Sequence, residues 1–465
     1  MPIRITLFGA AGDVTGSAYL LETSHSRILV DFGLFQGGHD KEERNILPEG
    51  LDPANLDAVV VTHAHLDHTG RLPLLARNGY EGPIHATQAT VELAGLILRD
   101  SAFVQEQDVK RSNKKRARSG KPPLETIYNV TDVEDVLGMM TAVEYKRFVE
   151  VTSDIRVKFF DAGHILGSAS LQMQIQDGGR TKTIVFSGDI GPNDVPIMRN
   201  PELQESADLV FMESTYGDRN HRPLQDTEIE FEEIVRNAVK AGEKILLPVF
   251  AVGRTQLMLY LLAEMFCDGT VKEFPIYVDS PMAIEATKIY SSHINQFDAE
   301  FQQLRRCRPV LEAMKSFTPT PTAQDSMALN EQQGPCLIMA GSGMCSGGRI
   351  LHHLRHNLGR PQAHVVIVGF QSYGSLGRML VDGAEKVKMF GEEITVRAQI
   401  HTLGGFSAHA GQSGLMEWLE PLAQCKPRIV LTHGEDRGRN ALAALVQQHY
   451  GITPEKPLMG DVIEL

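Results

Sequence analysis

One short run constrains this chain more than any other. Asp57–Gly70 reads "DAVVVTHAHLDHTG", in which Val59, Val60 and Val61 lead straight into His63, His65, Asp67 and His68. The β-branched run reads as a buried strand. Three imidazoles and a carboxylate packed at its end without a cation would be repulsive or desolvated, and together they suit a borderline metal such as zinc. A single run supplies part of a site, so further ligands must lie elsewhere.

Three candidates follow other strands. His164 stands after "VKFF" in "DAGHILGSAS", Asp189 ends "TIVFSGD", and His433 ends "RIVLTH". Taken singly, His164 and His433 read as hydrogen-bonded loop histidines. Taken with the cluster, four strands each deliver ligands at a C-terminal end, and in a layered α/β fold such ends gather at one edge. The set holds five histidines and two aspartates. That is too many for one four-coordinate ion and fits two ions sharing a bridging carboxylate.

The first two hundred residues alternate strands and loops with helices. Strands are expected at Ile3–Phe8, Ser17–Glu22 and Arg27–Asp31, then in "DAVVV", "PIHAT", "VKFF", "LQMQI" and "KTIVFSGD", with an amphipathic helix near Thr90–Arg99. "GAAGDVTG" is flanked by two strands, so it reads as a turn rather than a phosphate loop. From about Arg222 to Phe390 the texture becomes apolar strand, glycine turn, helix, as in a doubly wound α/β domain. The strand-then-histidine pattern then returns, which implies one domain interrupted by another. In "LHHLRH", His352, His353 and His356 lack the glutamate of HExxH and read as a solvated helix face.

The chain has 465 residues, enough for two domains. No apolar window spans a bilayer and no secretory leader is apparent, so a cytoplasmic protein without membrane association is expected. Cys267, Cys307, Cys336, Cys345 and Cys425 are scattered and read as reduced thiols. A net charge of −13 argues against a generally basic nucleic-acid binder but not against a metal enzyme. Against that charge, Lys110–Lys121 ("KRSNKKRARSGK") carries seven cations and no acid. It reads either as a solvated loop or as a positive rim for a polyanion.

"THAHLDHTG" with His164, Asp189 and His433 resembles the metallo-β-lactamase superfamily, and "FMESTYGDR", "FSAHAG" and "LTHGE" resemble its β-CASP branch of nucleic-acid processing enzymes, most nearly the RNA-cleaving group within it. The likeness runs nearly end to end. It implies an α/β fold: an αββα sandwich with an inserted doubly wound β-CASP domain. The parts would be 1–214 for the first portion of the metallo-β-lactamase domain, 215–393 for the insertion and 394–465 for the closing portion with an RNA-specificity motif. Carried over by residue, it implies that His63, His65 and His164 hold one zinc, that Asp67, His68 and His433 hold the other, and that Asp189 bridges them. Asp31 would support the site from behind, and Glu213 and His409 would form a pair beside the metals.

The implied chemistry is zinc-dependent hydrolysis of single-stranded RNA, with manganese the alternative metal. A metal-bridging hydroxide would attack phosphorus, Asp67 would belong to the catalytic set, and His409 would protonate the leaving oxygen, giving 5′-phosphate and 3′-hydroxyl ends. In the inserted domain "AGSGMCSGGR", with Ser342, Gly343 and Arg349, and "VFAVGRTQ", with Arg254, are candidate phosphate contacts. Rival readings are a thioester- or lactam-hydrolysing relative, which would need neither the insertion nor the Glu213–His409 pair, and a DNA-processing β-CASP enzyme. His433 favours RNA, because DNA enzymes of the branch usually place an apolar residue there. A homodimer is expected only by analogy with bacterial relatives.

Overall fold

The structure is a computed structural model that describes residues 2–37, 43–298 and 317–465. The chain forms two compact units, Met1–Asn193 with Asn200–Asn220 and His409–Leu465, and Asp194–Arg199 with His221–Ala408.

The first unit is built on two sheets. One contains β1 (Arg4–Gly9), β2 (Ala18–Glu22), β3 (Arg27–Val30), β4 (Ala58–Val60), β5 (Ile84–Thr87) and β6 (Met140–Val143), and the other β7 (Phe148–Glu150), β8 (Ile155–Asp161), β9 (Ala169–Asp177), β10 (Arg180–Phe186) and β11 (Leu209–Glu213). β20 (Arg428–Thr432) joins the second sheet beside β11, and β21 (Val462–Glu464) joins the first beside β1. The two-residue alternation of a strand decides which side chains face inward. Val30 and Val60 turn toward Phe159, Leu171, Phe186, Phe211 and Val430 of the second sheet, forming the core between the sheets. Their neighbours Leu29 and Val59 pack outward against Leu72, Leu75, Leu98 and Val133 of covering helices. On the far side Val210, Met212 and Leu431 pack against Leu415, Trp418 and Leu442. The layers run helix, sheet, sheet, helix, the sandwich implied by the resemblance.

The second unit carries a six-stranded sheet in which every pairing is parallel. Its strands are β12 (Lys244–Pro248), β13 (Ile276–Val278), β14 (Phe317–Pro319), β15 (Cys336–Ala340), β16 (Ala363–Ile367) and β19 (Gln399–Thr402). β17 (Lys386–Met389) and β18 (Glu392–Thr395) form a separate hairpin. The helix Leu224–Ala241 buries Phe231, Ile234, Val235 and Ala238, as its spacing requires. This compact unit extends to Ala408, and so includes the first residues of the expected closing portion 394–465, because β19 pairs with β16 and extends the sheet.

Two local expectations are corrected. Lys110–Lys121 is not a loop: the helix Gln88–Arg118 runs through most of it. Lysine, arginine and alanine are good helix formers, and cations are favoured at a helix C-terminus. Nor is His353 solvated, although His352 and His356 are. It is 1% exposed and its Nε2 lies 2.6 Å from Asp279 Oδ2. Among the described cysteines, Cys267, Cys336, Cys345 and Cys425 form no disulfide, while Cys307 lies outside the described residues. No described helix is long and apolar enough to cross a membrane.

Asp279, just after β13, is the polar anchor of the second unit. Its buried carboxylate accepts from Arg349 (2.7 Å), Thr320 Oγ1 (2.8 Å) and Ser326 Oγ (2.6 Å) as well as meeting His353. Burial pushes its pKa up, but the hydrogen bonds from His353, Ser326, Arg349 and Thr320 outweigh this and hold it down to about 2. A depressed carboxyl stabilises the fold above its unfolded pKa, near 4, and that stability is lost as pH falls toward about 2. Asp279→Ala is expected to cost roughly 3 kcal/mol by taking the carboxylate from the partly buried Arg349 and the hydrogen-bond partner from the buried His353. Urea unfolding followed by hydrogen exchange in β13 and β15 should show the wild type losing stability across that acid window and the variant lacking this loss.

Candidate metal centre

Every candidate ligand stands at or just beyond a strand's C-terminal end. β10, β11 and β20 are adjacent and parallel, so Asp189, Glu213 and His433 arrive at one edge together. β8 runs antiparallel to β9, and β9 to β10, so His164 reaches the same edge. From the facing sheet, β4 leads to His63 and His65, and the short helix Leu66–Thr69 then carries Asp67 and His68.

Two groups of donor atoms result. In the first, His63 Nε2 and His164 Nε2 lie 3.1 Å and 3.0 Å from His65 Nδ1, and each is 3.4 Å from Asp189 Oδ2. In the second, His68 Nε2 lies 3.3 Å from His433 Nε2 and 3.2 Å from Asp189 Oδ1, while His433 Nε2 is 3.5 Å from Asp67 Oδ2. Within each group the donor atoms lie within 4.8 Å of one another. Asp189 thus offers one oxygen to each.

Asp31 sits behind the second group. It takes a left-handed backbone conformation (φ 54°) straight after β3. Its Oδ2 lies 2.7 Å from His68 Nδ1, and the same carboxylate accepts from Thr62 N (2.7 Å) and Thr62 Oγ1 (2.8 Å). Holding the Nδ1 proton leaves the Nε2 lone pair free to face the site, the usual way of fixing a ligand tautomer. Glu213 is fully buried and its Oε1 accepts from Ile190 N (2.7 Å). His409 Nδ1 lies 3.2 Å and 3.3 Å from the two Glu213 oxygens, and its Nε2 is 3.8 Å from Asp189 Oδ2.

The electrostatics fit a cation. Burial is the largest cause acting on His63 and His65 and lowers both, favouring the neutral imidazole that a metal needs. Burial works against ionised Asp189, yet the surrounding histidines His433, His68 and His63 hold its pKa well down. Asp189 Oδ1 is buried and, among the described residues, makes no hydrogen bond. Converging imidazole nitrogens around such an oxygen are the donor set of zinc and similar ions. His409 is pushed down by burial but raised further by Glu213 and Asp189, to about 9.

The expected phosphate contacts are placed differently. Arg349 does not point out of its turn: it pairs with Asp279 and donates to Thr320 O and Pro321 O. Ser342 Oγ accepts from Ser346 N (3.0 Å) and Gly347 N (3.2 Å), so it holds the loop's own amides. Gly343 lies tight against Phe250, and Arg254 opens the helix Arg254–Cys267.

Sequence reasoning missed several supports. Thr215 Oγ1 lies 3.1 Å from His433 Nδ1 and accounts for that nitrogen. Gly33 and Gly191 let backbone cross at close range, since a Cβ on Gly33 would lie 1.6 Å from Asp67 O and one on Gly191 1.9 Å from Gly163 O. Thr62, beside His63 in "VTH", was a visible signal; Thr215 and the glycines were not, because their partners are remote in sequence.

Comparison with known proteins agrees with this geometry. A metallo-β-lactamase superfamily model matches residues 11–248, a β-CASP domain model 255–380, and a Zn-dependent metallo-hydrolase RNA specificity domain 393–457. A ribonuclease of Thermus thermophilus is 42% identical over 450 residues, covering 96% of each chain. The chain belongs to the β-CASP family of RNA nucleases within the metallo-β-lactamase superfamily. This β-CASP nuclease is therefore a hydrolase with a metal cofactor. The transcription termination factor FttA of Pyrococcus horikoshii is 32% identical across 100% of this chain and 71% of its own length. FttA of Methanosarcina mazei is 31% identical over 96% of this chain and 69% of its own length. A solved protein of unknown function from Enterococcus faecalis shares the fold at a TM-score of 0.58 and 13% identity over 100% of both chains.

Replacing Asp31 tests the supporting role in this β-CASP centre. Asp31→Ala is expected to weaken metal binding about 10- to 100-fold, read by competition with a chromophoric chelator. Retention should fall by one group of ligands, with the His63–His65–His164 group less affected.

Proposed function

We propose that this chain is a zinc-dependent ribonuclease that hydrolyses single-stranded RNA and leaves 5′-phosphate and 3′-hydroxyl ends. His63, His65 and His164 would hold one ion, Asp67, His68 and His433 a second, and Asp189 both; manganese is the alternative metal. When bound, such a pair acidifies water and offsets negative charge on phosphoryl oxygens.

The observation that carries the reading is the Glu213–His409 pair. Water adds across the P–O3′ bond: its oxygen stays on the 5′-phosphate, and the departing 3′ oxygen needs a proton. His409 Nε2 faces the metal-ligand side while Nδ1 is held by Glu213. That orients one ring nitrogen toward a reacting group and stabilises the imidazolium, so His409 serves as general acid. A thioester or lactam substrate has less need of an acid placed in this way, and the RNA specificity match over 393–457 supports RNA over DNA.

Purified protein loaded with zinc should cut single-stranded RNA, with single-stranded DNA and a thioester as comparison substrates. Rapid thioester turnover beside intact RNA would remove the proposal. Substrate labelled at either end would separate internal cutting from 5′-to-3′ trimming. Asp67→Asn should abolish cleavage without unfolding, and His409→Ala should lower kcat by about 10²- to 10⁴-fold or more.

A pH profile tests the pair itself. An acid raised by a neighbouring carboxylate stays protonated through neutrality, and activity then falls as pH climbs through its pKa. Because Glu213 is a main cause of the rise in His409, Glu213→Gln should move the basic limb of the kcat profile to lower pH. An unmoved limb would assign that titration to another group.

A further inference from the structure

The basic run Lys110–Lys121 takes no part in the metal centre and stands out on a chain of net charge −13. Within the helix Gln88–Arg118, a step of about 100° per residue places Lys110, Arg111, Lys114, Lys115 and Arg118 in one arc of roughly 140°. All five are exposed. The other side of the same turns is covered. Asn113 bonds Leu124 N (2.7 Å) and Leu124 O (2.9 Å), and Arg116 donates to Pro122 O (2.6 Å). Between the helix and this returning segment lies a groove of about 780 Å³, lined by Arg77, Lys110 and Lys114 and, for acids, by Glu106 and Glu125.

Arg111 reaches Asp108 at 3.7 Å. Among the described residues, the side chains of Lys110, Lys114, Lys115, Arg118 and Lys121 make no ion pair or hydrogen bond. Like charges crowded on one helix face repel one another, and among the described residues only Asp108, Glu106 and Glu125 stand near enough to offset part of that charge. A polyanion would offset the rest. Between Lys110 and Arg118 the cationic arc contains no apolar side chain, while Phe103 and Val104 are exposed in the same arc about two turns nearer the helix N-terminus; binding to anionic vesicles separates a lipid surface from RNA.

The helix also fixes where this face lies relative to the metal ligands. Its first turn is pinned to the loop that carries His164, since Thr87 Oγ1 and Thr90 Oγ1 both donate to Gly167 O (2.7 and 2.8 Å). From Gln88 the axis rises about 33 Å to Lys110. That distance equals about ten stacked nucleotides at ~3.4 Å each.

We propose that this helix face is a docking surface for the RNA phosphate backbone, outside the catalytic centre, that engages substrate about ten nucleotides from the scissile bond. The proposal rests on the ribonuclease reading. It makes affinity depend on RNA length, because a fragment of about six nucleotides held at the metals cannot reach the lysines.

The test is the full-length, metal-loaded triple variant Lys110→Ala, Lys114→Ala, Lys115→Ala. Cleavage of RNAs of about 6 and about 30 nucleotides is measured, and binding of the longer RNA is read by fluorescence anisotropy in an Asp67→Asn background. For the longer RNA, KM and Kd should rise about tenfold near 0.1 M salt, and the slope of log Kd against log salt should fall by about 2 for three lost contacts. For the short RNA, kcat and KM should stay unchanged. Unchanged affinity and salt slope for the longer RNA would overturn the surface, and so would equal losses on both substrates. Loss of binding confined to anionic vesicles or to a polyglutamate chain would assign the face to a different partner and also overturn it. If the lysines govern binding of the longer RNA but the wild type cuts none, the surface stands and the ribonuclease reading falls.

Discussion

The whole centre turns on one shared carboxylate. Asp189 presents Oδ2 to His63 and His164 and Oδ1 to His68, with burial that would by itself favour the neutral acid. Such a group is tolerable only where positive charge is assured on both sides. The fold supplies the means: β10 ends beside β11 and β20 in one sheet, and the facing sheet brings the cluster after β4 to the same edge. If the two sheets did not pack face to face, Asp189 would meet half of its partners.

Around that carboxylate the chain gives up side chains so that backbone can approach. Gly33 and Gly191 sit where any Cβ would overlap the loops that carry Asp67 and His164. Asp31 and His433 adopt left-handed backbone conformations that are uncommon for residues other than glycine. Strain of this kind collects at sites where the surrounding structure over-determines it. Here the determinants are named: Asp31 is held by Thr62 and His68, and His433 by Thr215.

Much of this was legible in the sequence, and the reason is local. The cluster "HAHLDH" is contiguous, strand ends gather at one edge by topology, and the period-2 runs mark the buried strands. The apolar face of Leu224–Ala241 could be read residue by residue. What escaped depends on partners far along the chain. His353 resembled a solvated histidine because Asp279, seventy-four residues earlier, is invisible to helical periodicity. Arg349 resembled a phosphate contact for the same reason. The second compact unit runs past the expected start of the closing portion at 394, because β19 pairs with β16, a partner that the returning strand pattern does not reveal.

The order in which the ligands occur along the chain has its own consequence. His63 and His433 lie far apart in sequence, and β20 and β21 are the last strands of the two sheets. During synthesis the early ligands emerge first, but the second group of donors cannot close before His433 is made. A growing polypeptide therefore carries an incomplete second group of donors until His433 is added. Completion of the centre is thereby a late event in synthesis, set by β20 rather than by the histidine cluster that begins it.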